Sequence, residues 1–76
     1  MNAAQMRMAR AALGWGVREL AEKAGIAANT VTRIENGADA KQSTIDAMRS
    51  AFEVAGIEFI PENGGGAGIR FRERKT

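Results

Sequence analysis

Two side chains of opposite charge stand where a helical period would turn them inward. Arg10 lies four residues after Met6 and three before Leu13, and Glu35 lies one past Ile34 and four past Val31. On helices, both would sit beside an apolar stripe. Burying either charge alone is strongly unfavourable, whereas a hydrogen-bonded guanidinium–carboxylate pair offsets much of its own desolvation and fixes how two helices meet. The chemistry expected of Arg10 and Glu35 is a structural ion pair. The alternative is that both long stems carry their charges past the core edge into water.

Catalysis has little to draw on. The 76 residues include no His and no Cys, which removes the commonest general base, the commonest metal ligand and any thiolate nucleophile. No close carboxylate pair has a nucleophile beside it, so binding is expected instead of an enzyme activity, with no cofactor and no metal. The run ENGGGAG at 62–68 lacks the Lys and Ser or Thr of a phosphate-binding loop, and no helix follows it. It reads as a flexible connection.

The absence of cysteine suits a reducing cytoplasm. The opening MNAAQMRMAR has no apolar core of the signal-peptide kind, and no run of about 20 apolar residues occurs. A cytoplasmic location without membrane contact is expected. The net charge is only +2, so composition gives little support for a nucleic-acid partner and the placement of charge matters more.

The elements that would position these groups follow from periodicity. Residues 3–13 combine strong helix formers with Met6, Ala9 and Leu13 on one stripe. Gly14 and Gly16 flank Trp15, a turn that would drop one large anchor into the core. VRELAEKA at 17–24 places Leu20 and Ala24 one turn apart before Gly25, and residues 28–36 place Val31 and Ile34 on one face before Gly37. Ser43 and Asp46 resemble a capping box opening a fourth helix, which carries Ile45, Met48, Phe52 and Ala55 and ends at about Ala55. From Ile57 the period becomes two. Ile57 and Phe59, then Ile69 and Phe71, mark two short strands, and 73–76 would fray beyond them. The fold class expected is mainly α: four helices and a short C-terminal pair of β-strands.

The spacing of Leu20, Ala21, Gly25, Ile26, Val31 and Ile34, with TVTRIENG at 30–37, resembles the helix-turn-helix signature of the Cro/C1-type (XRE) regulators, which include lambdoid phage repressors. The resemblance covers about residues 5–56. Each position has a physical reason: Ala21 is small where two helices cross, Gly25 turns sharply, and the others fill the wedge between them. The resemblance implies a repressor-like domain over 1–56, with a β-strand extension over 57–76 as a possible dimerisation element.

It also implies roles. The third helix would enter the major groove of double-stranded DNA with Ala28, Asn29, Thr32 and Arg33 toward base edges. Asn29 suits adenine and Arg33 suits guanine, while Thr32 or Ala28 suits a thymine methyl. Asn36, Lys41 and Arg7 would contact phosphates, and Arg10 would pair with Glu35. Two departures stand out: relatives often carry Ser and Gln where this chain has Gly16 and Val17, and Ser or Thr where it has Ala27. Val17 has no side-chain donor for a phosphate, and Ala27 forgoes a side-chain N-cap.

The expected function is a homodimeric, sequence-specific transcriptional repressor, with half-sites about 34 Å apart. The alternative is a protein-interaction module on the same scaffold, antiactivator or antitoxin-like, with a protein partner in place of DNA. A lone hairpin is marginal in water. Ile57, Phe59, Ile69 and Phe71 would therefore pack on helix 4 or join the same strands of a second protomer. Arg70, Arg72, Arg74 and Lys75 suit DNA phosphates, an acidic partner, or a solvated edge.

Overall fold

The first helix, α1 (Ala3–Leu13), begins at a reciprocal cap. Asn2 Oδ1 accepts from the Gln5 amide at 2.8 Å, and Gln5 Oε1 accepts from the Asn2 amide at 2.9 Å. It ends where Gly14 adopts a left-handed conformation (φ 69°), which glycine enters without a Cβ clash. The computed structural model describes residues 1–61 and 64–72. It continues with α2 (Val17–Ala24), α3 (Ala28–Glu35), α4 (Gln42–Val54), β1 (Ile57–Ile60) and β2 (Gly68–Phe71). The fraying expected of 73–76 lies outside the described residues, as do Arg74 and Lys75.

The end of the third helix and the start of the fourth differ from the sequence expectation. The third helix stops at Glu35, with Asn36 as its C-cap, one residue earlier than the spacing suggested. The fourth starts at Gln42 behind Lys41, whose carbonyl accepts from the Thr44 and Ile45 amides at 3.0 and 3.1 Å. Ser43 thus lies inside the first turn and does not cap it. Asp46 accepts instead from Gln42 Nε2 at 2.8 Å, an i,i+4 contact that favours starting the helix two residues sooner.

The core gathers Met6 and Ala9 from α1, Leu20 and Ala21 from α2, Val31 and Ile34 from α3, and Met48 and Phe52 from α4. Ile57 of β1 completes it, only 1% exposed. Phe52 is the hub of a ring cluster. Trp15 stacks on it at 5.7 Å between centroids, and Phe59 meets it edge-on at 5.8 Å, both favourable aromatic geometries.

β1 and β2 pair antiparallel within the chain, Ile57 opposite Phe71 and Phe59 opposite Ile69. Phe59, Ile69 and Phe71 are half-buried and pack against the helical core. The packing supplies what an isolated hairpin lacks. One polar side chain holds the hairpin in place: buried Gln5 donates from Nε2 to the Ile60 carbonyl at 3.0 Å and to the Gly68 carbonyl at 2.9 Å. Replacing Gln5 with Glu removes both donors and turns an acceptor toward two carbonyls. Q5E is expected to lower stability by about 2 kcal/mol, within the range for buried groups left unsatisfied. Urea denaturation checks this, and faster amide exchange in β1 and β2 should accompany it.

Candidate nucleic-acid interface

α2, a three-residue turn and α3 form the centre of the molecule. Gly25 (φ 72°) makes the turn sharp, and the Ile26 amide closes back on the Ala21 carbonyl at 3.0 Å. Leu20, Ala21, Val31 and Ile34 are all buried, so the two helices are held by their shared wedge. Ala27 precedes α3 without any side-chain cap. Ala27→Ser is therefore expected to raise stability by about 1 kcal/mol, read as a higher melting temperature; no change would show that water already satisfies the first amides of α3.

The third helix is divided lengthwise. One face carries Val31, Ile34 and Glu35, all buried, and the opposite face exposes Asn29, Thr32, Arg33 and Asn36. Positions 29, 32, 33 and 36 follow the i, i+3, i+4, i+7 rule and form a continuous stripe. Asn29, Arg33 and Asn36 make no side-chain bond to any other described residue, and Thr32 only returns its hydroxyl to the Ala28 carbonyl at 3.4 Å. Ala28 is half-buried and lines a cleft with Arg18, Ala21, Glu22 and Ile26. A second cleft, lined by Thr30, Arg33, Ile34, Asp39, Ala40, Lys41 and Thr44, places Lys41 beside Arg33.

The buried face is fixed by charge. Arg10 Nε donates to Glu35 Oε2 at 2.9 Å and a second guanidinium nitrogen to Oε1 at 3.0 Å, a two-pronged pair linking α1 to α3. A third nitrogen donates to the Trp15 carbonyl at 3.2 Å. The hydrogen bond to Glu35 raises the Arg10 pKa, burial opposes it, and the Glu35 charge adds to the rise. A raised pKa means that the contribution of Arg10 is complete wherever arginine is ordinarily charged, and is lost only at more alkaline pH.

Arg7 also turns to this joint, donating to the Glu35 carbonyl at the end of α3, where a cation suits the helix dipole. The structure thus groups Ala28, Asn29, Thr32, Arg33, Asn36 and Lys41 around the open side of α3 and engages Arg7 at its C-terminus. Sequence reasoning overlooked Gln5 and Asn2. The pattern Asn2-x-x-Gln5 was a legible cap signal.

Among the described residues, no group of three or more His, Cys, Asp or Glu could hold a metal ion. No described helix is long and apolar enough to cross a membrane.

Two short helices crossing through a glycine turn, with the second presenting a polar, uncommitted stripe, define a helix-turn-helix DNA-binding domain. The chain belongs to the helix-turn-helix domain family, whose model matches residues 3–59. The matched span runs through all four helices and into β1. A search of curated proteins finds no match.

Proposed function

We propose that this protein is a sequence-specific transcriptional regulator of the Cro/C1 (XRE) type, working as a homodimeric repressor in the cytoplasm through DNA binding and not catalysis. The observation that carries this reading is the exposed stripe of α3. Asn29 and Arg33 both offer bidentate hydrogen bonding, and neither is engaged by another described residue. In the major groove they would read adenine and guanine edges, with Thr32 and Ala28 suited to thymine methyls. Asn36 and Lys41 would hold the flanking phosphates. Occupation of a promoter would then exclude polymerase.

The proposed dimer forms along the hairpin. Both strands of a two-stranded sheet are edge strands, and half-buried Phe59, Ile69 and Phe71 lie on them, with Ile57 anchoring them from inside the core. Two-fold symmetry would present a recognition helix to each half-site.

One observation favours a second reading, a protein-interaction module. Trp15, Ala24, Ala47, Ala51, Val54 and Ala55 line a largely apolar cleft between α2 and α4, and Val54 is 86% exposed. Selection of bound duplexes from a random pool, followed by mobility shift at rising salt, decides between the two. Recovery of a two-fold symmetric site whose affinity falls steeply with salt supports the regulator. Failure to bind any duplex at low salt by a folded protein overturns it.

A further inference from the structure

We propose that Arg18 is a DNA-backbone contact on the flank of α3 opposite Lys41, so that the recognition helix enters its groove between two cations; this rests on the DNA-binding function above. The starting point is which cations are free. Of the Lys and Arg side chains described, Arg7 is engaged by the Glu35 carbonyl, Arg10 by the Glu35 carboxylate and Arg70 by Glu58. Arg72 donates to the Glu53 carbonyl, Lys23 lies over the Trp15 ring and Arg49 over the Phe59 ring. Arg18, Arg33 and Lys41 have no partner among the described residues. All three border α3.

Their placement around that helix is specific. Arg18, from the first turn of α2, shares a cleft with Ala28. Lys41 shares its cleft with Thr30, Arg33 and Ile34. At about 100° per residue, Ala28 lies roughly half a turn around the helix from the mean direction of 30, 33 and 34, and the stripe 29, 32, 33, 36 faces midway between them. A side chain reaching past the Ala28 flank therefore meets one wall of whatever groove the stripe enters, and Lys41 meets the other. The major groove is about 12 Å wide and an α-helix about 10–12 Å across. Both walls are phosphate, so each flank needs a cation, and these are the cations without partners.

Each cleft also holds one carboxylate, Glu22 beside Arg18 and Asp39 beside Lys41. Neither forms a salt bridge to its neighbour among the described residues. Opposite a phosphate these acids would repel, so removing them should have the reverse effect of removing the cations.

The test measures anisotropy of a fluorescein-labelled duplex, the tightest recovered by selection and a scrambled control, against salt concentration. For Arg18→Ala the slope of log affinity against log salt should become shallower by about 0.9, the value for one phosphate contact. Affinity for both duplexes should fall by a similar factor, Arg18→Lys should restore the slope, and Glu22→Gln should tighten binding. Lys23→Ala, which removes an engaged cation, should leave the slope unchanged. An unaltered slope in Arg18→Ala, with wild type still binding, overturns the Arg18 assignment alone. Loss of preference for the selected duplex would make Arg18 a base reader and also overturn it. No binding by wild type overturns the regulator reading and this one together. Circular dichroism melts of each variant exclude unfolding as the cause.

Discussion

Glu35→Ala should lower the unfolding free energy by about 3 kcal/mol, near the lower end of the range for a broken buried pair, because the Arg10 side chain is 25% exposed and regains some water. For a domain of this size that is a fall in melting temperature of more than about 12 °C. The loss arises because Arg10 is stranded between helices, its Trp15 bond notwithstanding. The expectation is sharpened by Arg10→Met with Glu35→Leu in one chain, which removes both charges and should recover most of the stability. Denaturation of the two variants side by side decides it. A single variant within about 0.5 kcal/mol of wild type, the usual range for surface changes, would mean that the pair is solvated.

Arg33→Ala should separate recognition from folding. Its guanidinium is exposed and has no partner among the described residues, so the melting temperature should stay within about 2–4 °C of wild type. Affinity for the selected duplex should fall by about 1–3 kcal/mol, and preference at one base pair should vanish. The effect differs from that expected of Arg18→Ala, which weakens all sequences alike. Binding titrations against duplexes varied at each position read the difference directly. An Arg33→Ala protein with unchanged preference at every position would remove Arg33 from the reading surface.

Much of the fold is legible because its punctuation is local. Gly14, Gly25, Gly37 and Gly56 all have positive φ, and each follows or adjoins the end of an apolar stripe. The inward directions of Arg10 and Glu35 could be derived from spacing, and the structure joins them. The start of α4 was misread because Ser43 and Asp46 have capping spacing while the competing Gln42–Asp46 contact is equally local; sequence alone does not rank the two. The role of Gln5 was beyond reach for a different reason. Its carbonyl partners lie 55 and 63 residues away, and a glutamine on a helix otherwise reads as surface. Alternation identified the strands but not the destination of their apolar face, which depends on how α1 and α4 open to receive Ile57. Of the candidate interface, the exposed stripe on α3 was legible from the same period that buries Val31 and Ile34. The proposed role of Arg18 was not, since it rests on which cations elsewhere are occupied.

The lengthwise division of α3 has a consequence for how such a domain can change over generations. The residues that hold the helix, Val31, Ile34 and Glu35, share no position with those that face outward, Asn29, Thr32, Arg33 and Asn36. Substitutions on the outer stripe leave the scaffold's packing intact, so under the proposed function new duplex preferences would be accessible by single steps that spare the core. A change of binding partner on this face would therefore carry little risk to the integrity of the fold.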